Sequence, residues 1–129
     1  YWQQNKILTQ SGILISNNNH TKLALPHLSG PADAVKDVLN QYMFLTQQMN
    51  QLHFTISTLQ LSPRRAWRMR LQNGLTIVIG RNDIVSRIQR LIKIYPKIIA
   101  DHGGEMQRID LRYPNGMAVQ WAHALTHIY

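Results

Sequence analysis

The residues that could carry catalysis are few and form no recognisable acid/base arrangement. Six of the 129 residues are acidic and none is cysteine. Asp33 and Asp37 share one face of a predicted helix, as solvated surface charges do, and the other acids suit caps, turns and a strand. There is no nucleophile elbow or phosphate-binding glycine loop, and the lack of cysteine excludes disulfides and thiolate zinc sites. The sequence therefore favours a non-enzymatic protein without a cofactor.

Two histidines near the end of the chain have the spacing of metal ligands. His123 and His127 would share a face if residues 123–129 were helical, but no acidic or cysteine ligand lies nearby in sequence. We expect no metal site, and we expect residues 123–129 to be a flexible tail without an assigned role.

The excess of basic residues favours an anionic partner. Lysine and arginine number 14, which gives a formal net charge of +8, unless missing parts of a longer protein balance it. Arg64, Arg65, Arg68 and Arg70 surround Trp67, as in a basic surface with an interleaved aromatic residue. No nucleic-acid-binding motif accompanies them. A nucleic-acid or anionic-surface binding module is therefore the alternative function.

The first half of the chain predicts short strands, a helix and a further strand. Strands are expected around Trp2, at residues 7–8 and at residues 13–15. A helix is expected to begin at Pro31, where a missing N–H costs nothing. Its buried stripe comprises Val35, Val38, Leu39, Tyr42, Leu45, Met49 and Leu52. Residues 54–61, rich in β-branched side chains, predict a strand.

A hairpin follows, with Asn73 and Gly74 as its turn signal. A two-residue loop would place Arg70 opposite Ile77 and Arg68 on the same face. Either the arginine stems cover apolar surface or the loop is longer, and the sequence leaves both alternatives open.

A second helix is expected from about residue 83 to 100, with a break or kink at Pro96. Its basic face carries Arg87, Arg90, Lys93 and Lys97. Its apolar stripe comprises Ile84, Val85, Ile88, Leu91, Ile92, Tyr95, Ile98 and Ile99. The width of this stripe favours packing on a sheet over binding to a membrane.

Residues 108–121 predict the C-terminal hairpin. The first strand should place Ile109, Leu111 and Tyr113 on one face, with its charged residues on the other. The second strand should alternate in the same way, with Met117, Val119 and Trp121 on one face and Ala118 and Gln120 on the other. Asn115 and Gly116 tolerate the positive φ that such a turn usually needs. We expect the last strand to offer its backbone edge to a partner.

This order of elements predicts an α+β domain with a mostly antiparallel sheet, built from hairpins and packed by two main helices. One domain is expected over residues 1–122. No apolar run reaches the roughly 18 residues of a membrane-spanning helix. The chain begins without methionine, and we expect it to be part of a longer protein.

Several segments together resemble one known family. They are LSPRRAWRMRL at 61–71, the turn and strand from 73 to 81, IYP at 94–96 and IDLRYPNGMAVQW at 109–121. The opening residues 2–15 are also similar to the first strands of the same domain. In this combination and order they resemble the periplasmic β domain of the bacterial cell-division family FtsQ, also called DivIB.

The resemblance implies a non-enzymatic domain of the division complex. It implies binding to the periplasmic part of FtsB, in a complex with FtsL and other divisome proteins, and a role in regulating septal peptidoglycan synthesis. No nucleic acid is expected. The whole protein would be a single-pass inner-membrane protein at the septum, anchored by an N-terminal helix that lies before residue 1.

The same resemblance implies which residues meet the partner, which would add a strand to the last strand of the sheet while its acidic residues meet arginines. The residues carried over by position are Arg81, Arg112, Tyr113, Gly116, Met117, Ala118, Val119 and Trp121. Trp121 can equally be a core residue, and Arg112 can pair with Asp110. No role is assigned to Arg108, which lies beside this surface.

Overall fold

A seven-stranded β-sheet with two helices packed on one face forms the framework of the chain. The computed structural model describes residues 2, 6–8, 14–16, 25–101, 105–122 and 126–129. The helices are α1 (Val35–Asn50), preceded by a 3₁₀ turn (Ala32–Ala34), and α2 (Ile84–Asp101). The strands are β1 (Lys6–Leu8), β2 (Leu14–Ser16), β3 (His27–Ser29), β4 (Ile56–Leu61), β5 (Trp67–Leu71), β6 (Thr76–Gly80), β7 (Met106–Asp110), β8 (Ala118–Trp121) and β9 (His127–Ile128).

The predicted α+β class and mostly antiparallel sheet are confirmed. The large sheet has the order β3-β4-β5-β6-β7-β8-β9, and β1 pairs with β2 as a separate antiparallel ribbon. Two neighbouring pairs are parallel, β3 with β4 and β6 with β7. Each parallel pair is connected through one helix, because parallel strands need a crossover. Trp2 is buried and forms a parallel bridge with Leu28 beside β3.

The core lies between the helices and one face of the sheet. The α1 stripe is confirmed, with Val38, Leu45 and Met49 fully buried. From the sheet, alternate residues such as Met69 and Ile77 face these helices. Successive side chains of a strand point to opposite faces, so the residues between these core positions lie on the other face of the sheet. That face is mostly polar.

Helix α2 differs from its prediction at two points. Ile88, Leu91 and Ile98 are fully buried, but Val85 and Ile99 are each 50% exposed. Val85 and Ile99 are 14 residues apart, which is two intervals of seven, so they lie in the same column along the helix. That column lies at the margin of the apolar stripe rather than against the sheet. The helix also continues through Pro96 to its end at residue 101, so of the two predicted alternatives the break is wrong and the kink stays a prediction.

The β5–β6 hairpin has the longer of the two loops considered. Met69 pairs with Ile77 and Arg70 with Thr76, so residues 72–75 form the connection. Arg68 and Arg70 therefore point to the open face of the sheet and are exposed, while Trp67 is in the core.

The C-terminal hairpin is shorter than predicted, with β7 and β8 joined by residues 111–117. Ile109 and Leu111 are fully buried, but Tyr113 is 43% exposed and so does not share their face as predicted. The strand ends at Asp110, and the chain passes into a bend at Tyr113 and a turn at residues 114–115, so the alternation of the strand does not continue to Tyr113.

The last described residues differ from the expected flexible tail. His127 and Ile128 form β9, which runs antiparallel to β8 and pairs with Ala118 and Val119. His127 is thus in a strand, so the helical spacing considered for a metal pair does not apply, and His123 lies outside the described residues. The domain boundary at residue 122 stays a prediction.

Glycines at two positive-φ positions give a matched test of this fold. Gly80 and Gly74 both have φ of 92°. A Cβ on Gly80 would lie 2.6 Å from Nη1 of Arg87 and 2.9 Å from Cγ of Arg112. A Cβ on Gly74 would meet no atom within 4 Å apart from those of its chain neighbours. We expect Gly74→Ala to cost about 1–2 kcal/mol of unfolding free energy from backbone strain alone. Gly80→Ala should cost at least about 1 kcal/mol more because of overpacking.

Urea unfolding of both variants, followed by circular dichroism, measures this difference. Equal losses at the two glycines would show that the arginines near Gly80 move aside without cost.

Candidate protein-interaction surface

The strand predicted to meet a partner, β8, lies between β7 and β9. Its register with β7 is antiparallel, with Arg108 opposite Gln120 and Asp110 opposite Ala118. On its other side only β9 lies between it and the edge of the sheet.

The side chains along this strand mostly face the core. Met117 and Val119 are 0% exposed and Trp121 is 1% exposed, and all three belong to the main hydrophobic cluster. Ala118, on the opposite face, is also buried. A partner strand alongside β8 can therefore meet these residues through their backbone, not through their side chains.

The side chain of Trp121 is thus part of the core, which is one of the two alternatives that the sequence left open. Truncating a fully buried tryptophan typically costs about 3–5 kcal/mol of stability. The Trp121→Ala variant consequently reports on the packing of the domain rather than on a partner contact.

Along β8, the backbone N–H and C=O groups of alternate residues point toward the outer edge of the strand. Met117 and Tyr129 exchange two hydrogen bonds, from Met117 N–H to the Tyr129 carbonyl at 2.8 Å and from Tyr129 N–H to the Met117 carbonyl at 2.7 Å. In an antiparallel ladder the same side is used two residues later, so Val119 also directs its N–H and C=O outward. The intervening Ala118 bonds toward β7.

Gly116 is needed here for close approach rather than for its turn conformation. Neither Gly116 nor Asn115 has positive φ, so the predicted turn geometry is wrong. A Cβ on Gly116 would instead overlap the backbone carbonyl oxygen of Tyr129. The glycine allows the backbone of Tyr129 to lie directly against the start of β8.

Arg90 of α2 holds the loop before β8 in place. Its Nη1 donates to the carbonyls of Tyr113 and Gly116, and its Nη2 to that of Pro114, each at 3.0 Å. A guanidinium suits this task because its donors form a rigid fork. The helical pattern of the sequence placed Arg90 on a solvated face and did not indicate this role. The one signal was its position beside the buried Leu91, at the margin of the apolar stripe.

Asp110 orients the guanidinium of Arg112. Oδ1 of Asp110 accepts from Nε at 2.9 Å and from the backbone N–H of Arg112 at 3.0 Å, and Oδ2 accepts from Nη2 at 2.7 Å. The pairing considered from the sequence is therefore present. It occupies one edge of the guanidinium and directs the Nη1 edge, on a side chain that is 55% exposed, away from Asp110.

Electrostatics keep this pair charged. Partial burial by itself raises the pKa of Asp110, but the hydrogen bonds and charge of Arg112, with the charge of Arg108, bring that pKa below its ordinary value. The hydrogen bonds that Arg112 donates to Asp110, together with the charge of Asp110, raise the pKa of Arg112. Both groups are therefore ionised throughout the neutral pH range.

A second arginine lies at the same corner. Arg81 directly follows Gly80, whose Cα lies against the stem of Arg112, and Arg81 is exposed. Beneath them Arg87 donates from Nη1 to the carbonyl of Ile79 at 2.6 Å. Arg81, Arg112 and the exposed Tyr113 form an exposed basic corner next to β8.

The eight predicted site residues thus divide into two groups. The exposed ones, Arg81, Arg112 and Tyr113, form the basic corner. The buried ones are Gly116, Met117, Ala118, Val119 and Trp121.

The features behind the alternative function are separated by the fold. Trp67 is buried, on the face opposite to Arg68 and Arg70, and so cannot stack on a base. Arg65 is paired with Asp33 at 3.0 Å. What remains is the positive charge of the open face of the sheet.

The described parts of the chain contain no group of three or more histidine, cysteine or acidic residues able to hold a metal ion. No helix within them is both long and apolar enough to cross a membrane.

Comparisons with known proteins agree on one family. Residues 1–112 match the family described as "Cell division protein FtsQ/DivIB, C-terminal". The chain is 39% identical over 127 residues to the cell division protein FtsQ of Shewanella oneidensis, covering 98% of this chain and 48% of that protein. Identity to the FtsQ protein of Coxiella burnetii is 36% over 121 residues, covering 93% of this chain and 50% of that protein.

A third relative is the FtsQ protein of Escherichia coli, which is 32% identical over 105 residues. That match covers 79% of this chain and 38% of the relative. The chain spans about half the length, or less, of these three relatives.

The Arg90 contacts lead to a direct test. Arg90→Lys keeps the positive charge but cannot bridge three carbonyls, so we expect a loss of about 1–3 kcal/mol of unfolding free energy. Faster amide exchange should appear in residues 111–117. Lys93→Gln, an exposed change on the same helix, is the control and should alter stability by less than about 0.5 kcal/mol. Equal stability of Arg90→Lys and the parent would contradict the assigned role.

Proposed function

The chain belongs to the FtsQ/DivIB family of cell-division proteins, and we propose that it is a protein-interaction domain of the division complex that binds its partner by strand addition along β8. The partner proposed is the periplasmic segment of FtsB, in a complex with FtsL. Through it this domain helps regulate septal peptidoglycan synthesis and has no enzymatic activity of its own. In the whole protein it is the periplasmic part of a single-pass inner-membrane protein at the septum.

The observation that carries the proposal is the outward-directed backbone of β8. Met117 already exchanges two hydrogen bonds with an antiparallel strand, and Val119 points the same way. Strand addition draws its affinity from main-chain hydrogen bonds of this kind. It also fits the burial of the β8 side chains, since backbone pairing does not require them to leave the core.

The basic corner supplies selectivity for an acidic partner. The free Nη1 edge of Arg112 is held in one orientation by Asp110, and Arg81 is exposed beside it. A carboxylate that reaches this corner forms a charge-assisted hydrogen bond with a preorganised donor. Such contacts set the register of the added strand and raise the association rate, which makes binding dependent on salt.

The open face of the sheet supports a second candidate function. It carries Arg68, Arg70 and Arg108, and nucleic acid or another polyanion could bind there through charge alone. The two candidates use different surfaces, so they can be separated by mutation.

Proline at Val119 tests pairing along β8. Val119→Pro removes a donor that points to the outer edge, while Val119→Ala changes the buried side chain but keeps the N–H. We expect Val119→Pro to bind the soluble periplasmic segment of FtsB about two- to tenfold more weakly than Val119→Ala, as expected for loss of one hydrogen bond. Titration calorimetry gives the affinities, and circular dichroism verifies the fold. Equal affinity of the two variants would count against strand addition.

Charge removal distinguishes the basic corner from the open face. Arg112→Gln and Arg81→Gln should each weaken binding of the FtsB segment about three- to thirtyfold and reduce its salt dependence. Arg70→Gln lowers the net charge by the same amount but lies on β5, and it should leave the affinity unchanged. If instead Arg70→Gln weakens binding as much, and generic polyanions bind with a steep salt response, the second candidate function is the correct one.

A further inference from the structure

We infer that residues 126–129, called here the β9 segment, are an internal competitor for the partner-binding edge of β8. The inference rests on the proposed function, because it concerns the regulation of that same edge. In this arrangement the partner binds only after the β9 segment has left, and the stability of the β9 pairing sets the apparent affinity.

The β9 segment occupies the backbone positions that an added strand would use. Its pairing covers Met117 through the two bonds with Tyr129, and Ala118 and Val119 through the β9 register. A backbone N–H or carbonyl directed at this edge cannot serve both strands in the same geometry, so the two occupants exclude each other.

The β9 segment also occupies the start of β8, next to Gly116. The carbonyl oxygen of Tyr129 lies so close to Gly116 that no Cβ would fit between them. The turn before β8 is therefore covered by the same segment that pairs with the strand, and a partner strand that extends past Met117 meets Tyr129 there.

Most of the β9 segment is exposed, which favours its displacement by a partner strand. His127 and Ile128 are both exposed, with Ile128 64% exposed, and Tyr129 alone is partly buried against the core. Within the described residues its pairs with β8 are those of Ala118 and Val119, so the segment holds the edge through a short pairing.

Its advantage over the partner is its covalent attachment. Only residues 122–126 separate β8 from β9, so the local concentration of the segment at the edge is of the order of millimolar. A protein whose competent state is a fraction of the population binds with an affinity reduced by that fraction. A short, weakly buried strand can thus hold the affinity down without preventing binding.

Deleting the competitor and locking it in place should have opposite effects. A variant that ends at Ala122 should bind the periplasmic FtsB segment about three- to tenfold more tightly than the full chain. Ala118→Cys with Ile128→Cys joins a directly opposed cross-strand pair in a chain that has no other cysteine. Its oxidised form should bind at least about tenfold more weakly than its reduced form.

Calorimetry with each form gives these ratios, and the two single-cysteine variants under oxidant are the controls. If the variant ending at Ala122 does not fold, the cysteine pair still tests the inference in the full chain. If the oxidised form binds more weakly than the reduced form but the shortened form binds no more tightly than the full chain, the inference is overturned and strand addition along β8 stands. Equal binding by the full, shortened, oxidised and reduced forms overturns both the inference and strand addition along β8. Absence of binding by every form, each with intact circular dichroism, rejects the proposed function and the inference with it.

Discussion

The antiparallel pairing of β7 with β8 is the constraint on which the rest of the surface depends. It turns Val119 and Trp121 into the core, which secures the strand, and it uses the backbone groups of Ala118 for the ladder. The backbone groups of Met117 and Val119 are left for the opposite side because a strand bonds to its two neighbours alternately. The strand is thus fixed on one side by the core and β7, while its other backbone edge pairs with the β9 segment.

Two arginines connect this strand to the rest of the domain in different ways. Arg90 binds the carbonyls of the preceding loop from below and thereby fixes where the strand begins. Arg112 is instead held by the carboxylate of Asp110, which occupies one edge of its guanidinium and leaves the side chain half exposed. Identical side chains therefore have different surroundings: Arg90 binds three backbone carbonyls, and Arg112 binds one carboxylate.

Much of the fold could be predicted because it follows from local pattern. The stripe of α1, the α+β class and the strands β4 to β6 all depend on hydrophobic periodicity and turn residues, which are properties of short segments. The loop length at Gly74 could not be decided, since the alternation of Arg68 and Arg70 permits either register. The burial of the Trp121 side chain could not be predicted either, since the sequence was compatible with both a core and an interface position, and only the packing of β8 places that side chain in the core.

By itself, the sequence determined the class of the fold, the identity of the buried stripes and the family of the protein, because these depend on residue types and their order. The tertiary structure alone decided that Arg90 supports the loop, that Gly116 lies under Tyr129 and that β9 covers β8. These are contacts between segments distant along the chain or joined by unpatterned residues. No local periodicity encodes such contacts, since they arise only when the sheet has brought the backbone edges together.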